Sequence, residues 1–117
     1  MENLNIIETL KLAYQNHEKN NFHVAINLYK EVLKIDPNHI RAQTNLGVAY
    51  RVLGENQKAI DCYEKVIKID SNFLDAHYNL ANVLSKLGED QKAIDCYKGI
   101  IKIDYNYLNA HLNLGVV

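Results

Sequence analysis

The chain has 117 residues, 48% of them apolar and 23% charged with a single proline, proportions that exclude a disordered or fibrous segment and fit a packed helical domain. A formal charge of −1 offers no overall field to attract nucleic acid or an anionic membrane. No run approaches the roughly eighteen apolar residues of a membrane span, and MENLNIIETL lacks the basic-then-apolar order of a secretory signal, so a cytoplasmic setting is expected.

Along the chain one segment keeps returning. AINLYKEVLKIDPN at 25–38 comes back as AIDCYEKVIKIDSN at 59–72 and as AIDCYKGIIKIDYN at 93–106, a period of 34 residues. Residues 40–73 and 74–107, aligned without a gap, agree at 18 of 34 positions. A single domain over 1–117 is expected, with units at about 6–39, 40–73 and 74–107 and a partial one at 108–117. The first unit carries Glu8, Asn16 and Lys19 where later units place Ala42, Tyr50 and Leu53 toward a preceding copy, so it reads as an N-terminal cap with a polar outer side. Its second helix gives way at Asp36-Pro37-Asn38, since proline cannot prolong a helix.

In the second unit, Ile40, Leu46 and Leu53 with the small Ala42, Gly47 and Ala49 fall at three- and four-residue spacing, which predicts a helix over about 40–53 ended by Gly54. A stripe of Ala59, Ile60, Tyr63, Val66, Ile67 and Ile69 predicts a second over about 56–69, and the short link between them makes the pair antiparallel. The third unit repeats this plan. Asn38, Asn72 and Asn106 each precede a new apolar stripe, where a side-chain oxygen would cap the coming helix. Gly47, Ala81 and Gly115, with Ala25, Ala59 and Ala93, allow close helix approach, and Tyr29, Tyr63 and Tyr97 fill the wedge left between. LNAHLNLGVV at the end opens a fourth first helix whose apolar edge, Ala110, Leu114 and Val117, lacks a second helix to cover it. Such an edge would either continue into a longer array or join two chains as a homo-oligomer.

Leu46-Gly47, Tyr50, Gly54, Ala59, Tyr63 and the Asp36-Pro37-Asn38 boundary resemble the tetratricopeptide repeat (TPR) signature, over a stretch from about Ile6 onward. The resemblance implies an all-α, right-handed α-solenoid of stacked antiparallel helix pairs. It also implies that the first helices line a concave groove holding an extended peptide or a partner helix. The family's frequent early tryptophan is replaced by Thr9, Gln43, His77 and His111. The RNA-reading pentatricopeptide repeats have a longer register and basic arrays, and neither matches.

On the expected groove face, Asn45, Asn79 and Asn113 hold one repeat position and would form a ladder of carboxamides, each offering donors and an acceptor to a bound backbone. An ordinary solvated, helix-stabilising amide is the competing reading of that column. Tyr14, Arg41, Tyr78, Asn82 and Lys86 share the face, with the aromatic and basic types that serve as binding anchors and that are equally common on solvated helices. The lysine-and-asparagine clamp of chaperone-binding TPR domains is absent, because Leu10, Tyr14, Thr44 and Val48 stand at its positions.

Catalytic chemistry finds no constellation. Cys62 and Cys96 lie one repeat apart, at about the 8–10 Å spacing of packed helices, too far for a disulfide and suited to free thiols. No metal or other cofactor is expected, since His77, His111 and the cysteines come from opposite helices of different units, with no C-x-x-C or H-x-x-x-H cluster. Ser71 and Ser85 lack a convergent histidine and acid, and the glycines form no phosphate loop. Lys34, Lys68 and Lys102 read as helix-end cations. The expected function is a non-catalytic scaffold binding a peptide-like segment of another protein. The alternatives are the substrate-recruiting arm of a glycosyltransferase-like enzyme and a self-assembling module.

Overall fold

A computed structural model describes residues 2–103 of the chain. Six helices follow one another: α1 (Glu2–Glu18), α2 (Phe22–Ile35), α3 (Ile40–Val52), α4 (Asn56–Ile69), α5 (Leu74–Lys86) and α6 (Asp90–Ile103). They pack as the hairpins α1–α2, α3–α4 and α5–α6, each joined to the next through α2–α3 and α4–α5. The expected fourth helix, with Asn106, Ala110, His111, Asn113, Leu114, Gly115 and Val117, lies outside the described residues.

Each first helix stops the same way. Gly54 and Gly88 take φ of +79° and +80°, and Asn20, at the same repeat position, takes +65°. The next residue's N–H then turns back onto the helix: Asn21 to Asn16 O at 2.8 Å, Glu55 to Tyr50 O at 2.9 Å and Glu89 to Leu84 O at 2.9 Å. This left-handed closure satisfies carbonyls that the helix end would leave bare, and glycine or asparagine adopts it with the least strain. The second helices end at Ile35 and Ile69, where Asp36 and Asp70 are extended.

The helix starts correct the expected caps. Asn38 and Asn72 do not cap; their backbone N–H groups donate to the Asp36 and Asp70 carboxylates at 3.2 and 3.0 Å. The aspartates form the turn, because a side-chain oxygen two residues back sits where the tight reversal aims the amide. Capping falls one residue later. His39 accepts the Ala42 N–H on Nδ1 at 3.1 Å, and Phe73, at the equivalent position, offers no acceptor.

The core runs as columns along the stack. Ala25, Ala59 and Ala93 are fully buried, as are Tyr29 and Tyr63, with Tyr97 at 1% exposure. Gly47 shows why a small residue is needed there: a Cβ on it would stand 2.5 Å from Cε1 of Tyr63. Two residues of the expected stripes are exposed instead of joining this core. Leu53 and Ile69 are more than a third exposed, and Ile35 shares that position in its unit, because helix ends project past the packed rows.

Candidate functional site

The first helices α1, α3 and α5 correspond to the wall that lines the concave side of such solenoids. α3 touches α5 directly and Arg41 reaches Asp75 across them at 3.8 Å, whereas no comparable contact joins α2 to α4 or α4 to α6. That wall is called the inner wall below.

Asn45 on α3 and Asn79 on α5 are half-buried on that wall, one repeat apart. Neither carboxamide forms a hydrogen bond within the described residues. A half-buried amide keeps its full capacity of two donors and one acceptor, so a bound group can use both kinds. Asn45 borders a hollow of about 210 Å³ with Tyr14, His17, Glu18 and Tyr29, at the junction of the first two units. Tyr14 lies tilted against Tyr29 with ring centroids 6.2 Å apart, an edge-type contact that fixes its orientation.

The remaining expected residues divide. Tyr78 packs edge-on against Tyr97 at 6.3 Å, and Asn82 accepts a hydrogen bond from the Tyr97 hydroxyl. Both are half-buried parts of the wall. Arg41 is exposed, paired with Asp75 and set 5.7 Å over the Phe73 ring. Lys86 is exposed in the last turn of α5. Asn113 falls outside the described residues.

Sequence reasoning missed His17, Glu18 and Asp75. His17 and Glu18 stand three and four residues after Tyr14, the spacing that puts side chains on one helix face, and this signal was available. The His17 Nδ1 lies 2.9 Å from the Tyr29 hydroxyl. Burial, aided by the Arg51 guanidinium, holds the His17 pKa below its usual value against the opposing pull of Glu18. A neutral ring is therefore favoured beside Tyr29.

The three column tyrosines differ at their hydroxyls. Tyr29 meets His17 and Tyr97 meets Asn82, but Tyr63 has Val48 where the third unit has Asn82. Among the described residues, the buried Tyr63 hydroxyl and Arg51 Nε have no hydrogen-bond partner, although the two side chains interact. Burial raises the phenol pKa at all three sites. All three phenols keep their protons at neutral pH.

Other chemistry is sparse. Cys62 is buried and Cys96 half-buried, and both are free thiols. Burial, more than any neighbouring charge, pushes the Cys62 thiol up to about 11 and raises Cys96 as well. Among the described residues, no three His, Cys, Asp or Glu side chains gather as a metal-binding set. No described helix is long and apolar enough to cross a membrane.

Comparison with solved structures places this geometry among known proteins. Two crystal structures of MamA are each 29% identical to the chain: one has a TM-score of 0.89 over 95% of this chain, the other 0.87 over 96%. The chain spans 65% and 61% of those two MamA chains. The first TPR domain of Spaghetti (RPAP3), solved bound to the HSP90 peptide SRMEEVD, superposes with a TM-score of 0.88 over 95% of this chain and 88% of its own, at 16% identity. That likeness is one of fold. No curated protein sequence matches the chain. The TPR repeat family matches residues 13–52 and 49–88, and a tetratricopeptide repeat matches 74–107. Family match, solenoid geometry and the recurring helix-end turns agree: the chain belongs to the tetratricopeptide repeat family.

Proposed function

We propose that the chain is a non-catalytic interaction module that holds an extended, peptide-like segment of another protein against α1, α3 and α5. The observation that carries this reading is the pair of half-buried carboxamides of Asn45 and Asn79, which have no partner within the described residues. Successive amides on adjacent inner helices suit a backbone, which offers N–H and C=O groups regardless of its side chains. Tyr14 and Tyr78 supply flat apolar surface beside them, and Arg41 and Lys86 supply charge at the rim. The unpaired cysteines suit a reducing cytoplasmic setting.

The expected unit boundaries at 6–39, 40–73 and 74–107 are kept as part of this proposal, with columns of equivalent residues providing the spacing of the ladder. A neighbouring TPR domain that binds an HSP90 peptide adds that this fold accommodates a peptide. With Leu10, Tyr14, Thr44 and Val48 at the clamp positions, this groove favours backbone contacts over capture of a terminal carboxylate.

The test is the Asn45→Ala/Asn79→Ala double variant. A partner segment retained by the immobilised wild-type chain should bind it about tenfold more weakly, the loss of one or two hydrogen bonds of ordinary strength. Helicity should be unchanged. Equal affinity for the variant would exclude the ladder as the contact.

A further inference from the structure

The opposite side of the stack carries a second surface. Between α2 and α4, over the outer face of α3, lies a furrow of about 640 Å³ with an apolar floor of Leu33, Pro37, Leu46 and Tyr50. Its walls hold Lys30 and Lys34 from α2 and Lys58 and Lys65 from α4, against one acid, Asp61. A smaller hollow of about 220 Å³ shares Lys30, Tyr50 and Lys58, adds a second acid, Glu55, and extends the furrow toward His23 at the start of α2.

Repetition alone does not account for these lysines. The equivalent furrow between α4 and α6, of about 530 Å³, carries Glu64, Asp95 and Lys68. Glu64 stands in the column of Lys30, and Gly99 in the column of Lys65. The two copies thus differ at two places, with the charge reversed at one and lost at the other, while Lys68 keeps the sign of Lys34. Nor are the lysines used up internally. Lys58 pairs with Glu55 at 3.1 Å, and Lys30 and Lys58 sit 5.8 and 5.5 Å from the Tyr50 ring. Lys34 and Lys65 form no ion pair among the described residues. Such clustering in a chain of formal charge −1 creates a local positive field that overall charge conceals.

We propose that this furrow docks an acidic, extended segment of a partner protein, its apolar side chains on the Leu33, Leu46 and Tyr50 floor and its carboxylates facing Lys30, Lys34 and Lys65. A furrow of about 640 Å³ with an adjoining hollow has room for a chain segment and not only a single anion, and the apolar floor selects a peptide over a bare polyanion. The docking face lies across the solenoid from the carboxamide ladder, so one chain can engage two segments at once.

The probe is the fluorescein-labelled peptide Glu-Glu-Leu-Glu-Glu-Leu-Glu-Glu, followed by anisotropy at low and high salt, with its glutamine counterpart as reference. Wild-type protein should bind the acidic peptide saturably, at least about tenfold more tightly than the glutamine peptide, and more weakly as salt rises. Lys30→Gln/Lys34→Gln/Lys65→Gln should lose about tenfold, whereas Lys68→Gln/Lys98→Gln/Lys102→Gln, with the same change in net charge, should lose less than about twofold. The Asn45→Ala/Asn79→Ala variant should bind this peptide as wild type does. Equal losses in the two lysine triples, loss in the asparagine variant, absence of saturable binding, or binding of phosphatidylserine vesicles in place of the peptide would each overturn the proposal. Circular dichroism of both lysine triples should match wild type, since all six side chains are exposed.

Discussion

Removing one oxygen from each column tyrosine should have opposite effects in different units. Tyr29 and Tyr97 place their hydroxyls against His17 and Asn82, while the Tyr63 hydroxyl is buried without a hydrogen-bond partner among the described residues. A hydrogen bond contributes about 0.5–1.5 kcal/mol net, and a buried unsatisfied polar group costs about 1–3 kcal/mol. Tyr97→Phe and Tyr29→Phe should therefore each destabilise by about 1 kcal/mol. Tyr63→Phe keeps the ring against Gly47 and removes only the unsatisfied oxygen, so it should be neutral or stabilise by about 1 kcal/mol. The resulting gap of about 1–2 kcal/mol between Tyr63→Phe and the other two would separate urea midpoints by about 0.5–1 M for a domain of this size. Urea unfolding followed by circular dichroism at 222 nm reads this directly, with equal slopes confirming the same cooperative unit. A cost for Tyr63→Phe equal to that of Tyr97→Phe would refute the reasoning and show that Arg51 satisfies the middle hydroxyl after all.

Two glycines inside helices should respond oppositely to alanine. A Cβ at Gly99 meets nothing within 4 Å, so Gly99→Ala should stabilise by about 0.5–1 kcal/mol, whereas Gly47→Ala sets that gain against about 1–3 kcal/mol of overpacking on Tyr63 and should destabilise in thermal melts. Because the folded-state pKa of His17 is lowered, the unfolded chain takes up a proton that the folded chain resists once pH falls below about 6.5, and stability declines from there toward the folded pKa. His17→Gln should flatten that part of a stability-against-pH curve, and an unchanged slope would remove His17 as its source. With its thiol pushed up to about 11, Cys62 should react with iodoacetamide at pH 8 roughly a hundredfold more slowly in the native protein than in urea, with Cys96 labelled first; equal native and unfolded rates would contradict the burial.

The period of the fold was legible because one unit is copied with enough fidelity to show its columns. The glycines at 54 and 88 announced their turns because a left-handed residue strongly favours glycine. Asn20 performs the same closure and was not singled out, since asparagine serves many local roles. The boundary turns were misread at Asn38 and Asn72 for a related reason. Aspartate and asparagine stand together there, and only backbone geometry decides which side chain meets an amide.

Helical register is what put Asn45, Asn79, Tyr14 and Tyr78 on one expected side of the first helices, the side on which the proposal rests. What each side chain does there was not legible, because Asn82 is committed to Tyr97 by a residue fifteen positions away on another helix. The outer lysine furrow was hidden more completely. Lys34 belongs to a column with Lys68 and Lys102 and so passed for a helix-end cation, and Lys30 and Lys65 line one furrow only because α2 and α4 both pack against α3.

Side-chain carboxamide resonances offer the most direct test of the account. Titrating a retained partner segment into ¹⁵N-labelled protein should shift the Asn45 and Asn79 side-chain NH₂ signals together with amides of α1, α3 and α5, and leave α4 and α6 largely unmoved. Shifts confined to α2, α4 and α6, with both carboxamide signals stationary, would contradict recognition on the inner wall.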